Sequence, residues 1–374
     1  MQSHPLECAP PLGWTDAGAR VAVNSQLQSG QERRTTFPFF VGCPRSGTTL
    51  VRAIFNSHPD LAIPDETHFF SDMVSQQKRY TRNGEFTADL FLVDLLAHPW
   101  FPRLGVPPDD VRAEMLMEPP SSYSEAARRV FASYAKRQGK PRYGDKTPRN
   151  LDSLGILAET FPEARFIHII RDGRNVALSL LDMPWGPEGI VEAARIWRSR
   201  VERGRKAGRS LGPSRYREVR YETLLDDPES TVRSVCRFID LPFDPSMLRY
   251  FESVEPIISP NRSTRGSVAL PLTKGLRDWP SQMSRWDLAK FGVIAGGLLR
   301  SLGYEEGSLP ISARERLTAH LAVLVLEARA RLRGIYRSAR RVARAVRKRL
   351  IGQTKAPPRS KAKGTSDDDG YRNG

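Results

Sequence analysis

The chain reads as an α/β protein: a parallel β-sheet flanked by helices, with a P-loop-like phosphate-binding turn after its first strand. Three observations lead there. The run FPFFVG, from Phe37 to Gly42, passes through CPRSG into TTLVRAIFNSH, which is a buried strand, a glycine-bounded turn and a helix. Strand and helix signals alternate from Phe37 onward, the pattern of a parallel sheet with helices on both faces. The charged residues that stand out, Arg45, Glu66, Lys146 and Arg171, all follow extended runs. In such sheets ligands sit at the carboxyl ends of the strands, so these residues are placed to converge.

Element by element, residues 1–36 are polar and without period, and are expected to be a flexible N-terminal arm. After the first strand and its helix, LAIP at 61–64 is a short extended piece leading into Asp65-Glu66-Thr67. Residues 86–138 read as mainly helical, with PPDDVRAEMLM and SSYSEAARRVFASYAKR as two capped, periodic segments. RYGDKTP is extended and ends in a loop, and Leu151 to Phe161 is helical. FIHII at 166–170 is apolar and β-branched, a buried strand, followed by a helix from Asp172 to Leu181. YREVRY at 216–221 is another strand and STVRSVCRFIDL another helix. The resulting organisation is an arm over 1–36, an α/β domain over 37–308, a basic helical extension over 309–352 and a disordered tail over 353–374.

The formal net charge of +16 is unevenly placed. From Ile311 to Gly374 there are 17 Lys or Arg against 5 Asp or Glu, whereas the preceding 310 residues carry 41 against 37. The body is nearly neutral, so the basic balance describes the tail and not the site. Within that tail Ile335, Ala339, Val342, Val346 and Leu350 recur at helical spacing among arginines. This predicts a basic amphipathic helix suited to an anionic membrane surface; nucleic acid is not an expected partner. No apolar run reaches the ~18 residues of a bilayer span. The N-terminal MQSHPLECAPPLGW lacks a basic and then apolar leader, so no secretory signal is expected. Cys8, Cys43 and Cys236 show no disulfide or metal spacing, which fits a cytoplasmic protein, peripheral at the membrane through its tail.

Four clusters carry chemistry. The turn Pro44-Arg45-Ser46-Gly47-Thr48-Thr49 offers backbone N–H groups, three hydroxyls and a guanidinium to an anion. Its Gly42-to-Gly47 spacing is that of a nucleotide-triphosphate loop, but Thr48 stands where that loop has its lysine. Arg171 ends a buried strand and Ser179 lies about two turns into the next helix, a second place to hold a phosphate. Glu66 is placed to act as a general base for a hydroxyl, with His68 as the rival base; His58 and His168 read as structural. Lys146, within Asp-Lys-Thr-Pro, is placed to neutralise charge on a bridging oxygen.

PRSGTTL, then Asp-Glu-Thr, then Asp-Lys-Thr-Pro, then RDGRNVALS, in that order, resembles the sulfotransferase family over roughly residues 37 to 305. Within it the chain looks most like the tyrosylprotein sulfotransferases and related bacterial sulfotransferases. The resemblance implies the sulfotransferase variant of the P-loop fold. It also implies 3′-phosphoadenosine 5′-phosphosulfate (PAPS) as co-substrate, a hydroxyl-bearing acceptor and no metal. Arg45, Ser46, Gly47, Thr48 and Thr49 would hold the 5′-phosphosulfate, Arg171 and Ser179 the 3′-phosphate, and Tyr221 would lie near the nucleotide. Glu66 would be the base and Lys146 and Arg45 would stabilise the transition state. Ser263, sixteen residues before Trp279, has the spacing of a serine with a similar role, and Arg265, Lys274 and Arg277 are further candidates to fold over the donor. Two departures concern the acceptor: Pro64-Asp65 replaces a Cys-Gly pair before the glutamate, and the basic tail lies outside the resemblance. Tyrosyl, carbohydrate, lipid and small-molecule hydroxyls all remain open. The rival readings are a small-molecule kinase using the same loop, and a basic nucleotide-fold protein that binds membranes or nucleic acid.

Overall fold

The structure, a computed structural model, describes residues 35–252, 270–272, 278–304, 312–326 and 328. In chain order its regular elements are β1 (Phe37–Gly42), α1 (Thr48–Asn56), β2 (Leu61–Ala62), α2 (His68–Val74), β3 (Thr81–Arg82), β4 (Glu85–Phe86) and α3 (Ala88–Ala97). There follow α4 (Pro108–Met117), α5 (Tyr123–Arg137), β5 (Arg142–Tyr143), β6 (Asp145–Lys146), α6 (Leu154–Thr160), β7 (Ala164–Ile170), α7 (Gly173–Leu181) and α8 (Ile190–Leu211). The remainder are β8 (Tyr216–Arg220), α9 (Tyr221–Asp226), α10 (Pro228–Phe238), α11 (Trp279–Gln282), α12 (Arg285–Ser301) and α13, a helix over 313–326.

The main sheet has the order β6-β1-β7-β8 and every neighbouring pair is parallel. All six residues of β1 are buried, because helices cover both of its faces. Successive side chains go to opposite faces. Phe37, Phe39 and Val41 join one core with residues of α2 to α6, and Phe40 joins another with Ile54 and Phe55 of α1 and Val232 and Val235 of α10. In the first core Phe37 meets Phe131 and Phe161 edge-on at 5.1 and 5.5 Å between ring centres, a favoured geometry for aromatic pairs. A third core, around Cys43, Ile170 and Trp197, packs α7 and α8 against α12. Burial pushes the Cys43 thiol up to about 12, so it is an inert apolar residue and not a nucleophile.

The register positions the site. Phe40 pairs with Lys146 on one side and Ile167 on the other, and Gly42 pairs with Ile169. The turn after β1, the end of β6 and the Arg171 end of β7 therefore lie side by side at one edge of the sheet. The expected elements are present, with two adjustments. Lys146 sits on a two-residue strand and not in a loop, and Tyr221 opens α9 and does not end β8. Residues 1–34, which make up most of the expected arm, and most of the expected basic extension and tail lie outside the described residues.

Candidate active site

The turn after β1 is tight. Ser46 N donates to the Cys43 carbonyl at 3.1 Å, and Arg45 and Gly47 both take positive φ, 74° and 93°. Gly47 is required twice over. Its backbone is left-handed, and a Cβ there would lie 2.3 Å from the Tyr221 ring. Gly47 also precedes α1 without a side-chain cap, and the first turn of α1 holds no acidic residue. The leading N–H groups of α1 are thus left without a side-chain partner, the usual setting for an anion. Ser46 is fully buried and its hydroxyl finds no hydrogen-bond partner among the described residues. A buried orphan hydroxyl beside an uncapped helix start fits a phosphate or sulfuryl oxygen.

The two anion clamps expected from the sequence form one surface. Arg45 Nε donates to Ser179 Oγ at 3.0 Å, and Arg171 Nη1 donates to the Arg45 carbonyl at 3.4 Å. The Arg171 guanidinium lies 4.6 Å from the Tyr221 ring centre, within cation–π range, and its buried Nε has no partner among the described residues. Arg171 is held from behind, since its carbonyl accepts from Trp197 Nε1 of α8 at 3.1 Å. Asp172 caps α7 by accepting from Arg174 N at 2.9 Å, and its own N–H donates to Glu222 at 2.9 Å. Arg174 is buried and not a solvated arginine. It pairs with Asp172 at 2.7 Å and lies 3.6 Å from the centre of the Trp279 ring.

Glu66 bridges two groups. Its Oε1 accepts from Lys146 Nζ at 3.0 Å, and its Oε2 is hydrogen-bonded to His68 Nε2 at 3.0 Å. Lys146 is 1% exposed, so it is no surface lysine; Asp65 lies 3.7 Å from its ammonium. His68 is thus hydrogen-bonded to the carboxylate it was set against as a base, and its ring packs on Trp100 with centres 3.9 Å apart. Burial alone would raise the Glu66 carboxyl, but the Lys146 ammonium and the His68 hydrogen bond outweigh it and hold the group at about 2.

Behind these groups is a polar scaffold that the sequence did not announce. Thr67 N donates to Thr147 Oγ1 at 2.9 Å, and the Thr67 hydroxyl donates to Asp145. Asp145 also accepts from Asn150 at 2.7 Å and Thr147 at 3.1 Å, and burial raises its carboxyl to about 6. This network pins Thr67, the residue between Glu66 and His68, to the strand end that carries Lys146. The only hint in the sequence was the density of hydroxyl and amide residues in Asp-Lys-Thr-Pro-Arg-Asn. His58 and His168 are structural as expected: His58 bonds the Pro242 carbonyl at 2.9 Å, and His168 bonds the Tyr216 hydroxyl at 2.6 Å inside the sheet. Ser263, Arg265, Lys274 and Arg277 lie outside the described residues. Among the described residues no group of three or more His, Cys, Asp or Glu has the arrangement of a metal site.

A family model described as the sulfotransferase family matches residues 38–245, more than half of the chain. The chain belongs to the sulfotransferase family. The match takes in the turn after β1, Glu66, Lys146, Arg171, Ser179 and Tyr221. Curated relatives include protein-tyrosine sulfotransferase A of Caenorhabditis elegans, 26% identical over 75% of this chain and 70% of that protein. Protein-tyrosine sulfotransferase 1 of Danio rerio is 23% identical over 82% of this chain and 85% of its own length. Among solved structures the chain is similar to the sulfotransferase domain from the Synechococcus PCC 7002 olefin synthase, 24% identical, covering 76% of this chain and 100% of that one, with a TM-score of 0.49. The protein is an enzyme that transfers a sulfuryl group to a hydroxyl, and the kinase and binding-protein readings are set aside.

Proposed function

We propose that this sulfotransferase takes its sulfuryl group from PAPS and delivers it to a phenolic hydroxyl, with protein tyrosine the first acceptor to test. The names of the curated relatives support the tyrosyl acceptor. The observation that carries the chemistry is the Lys146–Glu66 pair, 3.0 Å apart, beside the turn that ends in an uncapped helix.

In this reading Ser46, Thr48, Thr49 and the α1 N–H groups hold the 5′-phosphosulfate, and Arg171 with Ser179 hold the 3′-phosphate. Tyr221 braces both, through Gly47 and through the Arg171 guanidinium. Bound PAPS supplies an activated sulfuryl group and a stable nucleotide leaving group. Glu66 accepts the proton of the acceptor hydroxyl at a carboxylate oxygen. His68 keeps that carboxylate oriented. Lys146 and Arg45 place positive charge where the bridging and sulfuryl oxygens become more negative, and a buried ammonium does this at low reorganisation cost. No metal enters this scheme. The buried thiols Cys43 and Cys236, both unpaired, support a reducing, cytoplasmic setting. Among the described residues no helix is long and apolar enough to cross a membrane.

The test is transfer of labelled sulfur from PAPS to tyrosyl peptides and to lysate fractions, with wild type and Glu66→Gln compared. Wild type should label a phenolic acceptor, and Glu66→Gln should be about 100-fold slower or worse, the scale of a lost general base. Affinity for the spent donor, 3′-phosphoadenosine 5′-phosphate (PAP), should be unchanged. A fully active Glu66→Gln with a silent His68→Ala would give the base role to His68, and labelling confined to sugars or lipids would replace the phenolic acceptor.

A further inference from the structure

One peptide group at the end of β7 is gripped from both sides. The Arg171 carbonyl accepts from Trp197 Nε1 at 3.1 Å, and the next N–H, that of Asp172, donates to Glu222 Oε1 at 2.9 Å. The two bonds fix the plane of the peptide between Arg171 and Asp172. They thereby set the direction in which the Arg171 side chain leaves the strand. Trp197 belongs to α8 and Glu222 to the first turn of α9, so the grip comes from two separate helices.

Glu222 is itself held. Its Oε2 accepts from the Tyr304 hydroxyl at 2.9 Å. Burial and the Glu222 carboxylate push that hydroxyl above the ordinary tyrosine range, which keeps it a donor. The Arg220 guanidinium lies 4.2 Å from the Tyr304 ring centre, within cation–π range. The end of α12 is shaped to deliver this ring. Gly303 N donates to the Arg300 carbonyl at 2.9 Å and Tyr304 N to the Leu299 carbonyl at 3.0 Å. With Gly303 at φ 71°, this is the paired hydrogen bonding of a glycine-terminated helix. Three successive residues at the β8–α9 junction thus serve one joint. Arg220 lies against the Tyr304 ring, Tyr221 against Gly47 and Arg171, and Glu222 between Asp172 and the Tyr304 hydroxyl. Tyr304 lies beyond residues 38–245, which the family model matches.

We propose that Glu222, oriented by Tyr304, is a positioning residue for donor recognition: it sets the Arg171 guanidinium for a 3′-phosphate and makes the end of α12 part of the donor site. The proposal rests on the reading of Arg171 as the 3′-phosphate clamp. Glu222 acts through the Arg171–Asp172 peptide and not by touching the nucleotide.

Calorimetry of PAP and of adenosine 5′-phosphate on the 374-residue chain provides the test, with urea unfolding of the same variants. The quantity read is the ratio of the two affinities, which a loss of stability alone does not move. Glu222→Ala should lower the preference for PAP about tenfold, the scale of one hydrogen bond to a charged group. Glu222→Gln should keep most of that preference, because an amide oxygen still accepts from Asp172 N. Tyr304→Phe should lower it about threefold, and by nothing further in the Glu222→Ala background, because the two residues act in series. Glu222→Ala with lowered stability and the full preference would overturn the proposal. So would equal losses in Glu222→Gln and Glu222→Ala, or additive losses in the double variant. Should Glu222→Ala fail to fold, an unchanged preference in Tyr304→Phe would overturn it alone. Equal wild-type affinities for the two nucleotides would instead overturn the reading of Arg171 as the clamp, so the two failures are distinguishable.

Discussion

Lys146 and Glu66 restrain one another across a 3.0 Å contact. A carboxyl held at about 2 is a weak base, and its weakness comes from the ammonium 3.0 Å away. In the proposed scheme a donor oxygen that draws Lys146 away would leave Glu66 a stronger base, which would link donor binding to base activation through one side chain. A depressed carboxyl pKa contributes stability that is present above its ordinary value and is lost as pH falls toward 2. In Lys146→Met the burial that raises the group remains and the largest lowering influence is gone. Glu66 should then titrate well above its wild-type value, seen as the pH at which its carboxyl carbon shifts in NMR. A Glu66 that still titrates near its wild-type value in Lys146→Met would remove the ion pair as the cause. At this scale Arg45, Glu66, Lys146 and Arg171 were legible as charges after extended runs. The pairing of His68 with Glu66 was not, because two side chains two residues apart meet only where the backbone turns. The burial of Lys146 was hidden because its strand is only two residues long.

Among the elements, the segments with continuous apolar patterning were legible: β1, β7, α1, α5 and α10. The helix that supports the whole site from behind, α8, was not. Its 22 residues include seven Lys or Arg, and its buried face is interrupted by Gly204 and Gly208. Those glycines are contacts and not breaks. A Cβ on Gly204 would lie 2.4 Å from Leu151, and one on Gly208 2.3 Å from the Tyr216 ring, so α8 sits unusually close to the sheet. The same close packing explains the glycine of the Arg-Asp-Gly-Arg run. A Cβ on Gly173 would lie 2.4 Å from the Trp197 indole, whose N–H holds the Arg171 carbonyl. Gly173→Ala should therefore cost about 1–3 kcal/mol in urea unfolding, the range for overpacking a core. It should also weaken PAP binding through displacement of Arg171. An alanine variant as stable as wild type, with unchanged PAP affinity, would show that α7 and α8 have room to separate.

For the whole molecule, charge and site are separable. Residues 329–374 carry 15 Lys or Arg against 3 Asp or Glu, outside the family match. The preceding helix, α13, belongs partly to the core: Ala319 and Val323 are buried, and Val323 joins the α7, α8 and α12 cluster. Its other side exposes Leu317, Leu321 and Leu324 at 62, 55 and 59%, spaced as one helical stripe. An apolar stripe followed by a basic segment suits an anionic lipid surface, where each basic residue adds about 1 kcal/mol near the headgroups. A chain ended after Ala328 should keep its fold and PAP affinity and lose most cosedimentation with phosphatidylserine vesicles at low salt. Undiminished vesicle binding by the shortened chain would place lipid contact on the body.

In the proposed function the joined Arg45, Ser179 and Arg171 surface holds a nucleotide by its 3′-phosphate. The direct measurement is calorimetry of PAP against adenosine 5′-phosphate, in wild type and in Arg171→Ala. Wild type should prefer PAP strongly. Arg171→Ala should weaken PAP by about 1.5–3 kcal/mol, the worth of a charged hydrogen bond, while hardly changing adenosine 5′-phosphate. Equal affinity of the wild type for both nucleotides, or equal losses for both in Arg171→Ala, would contradict it.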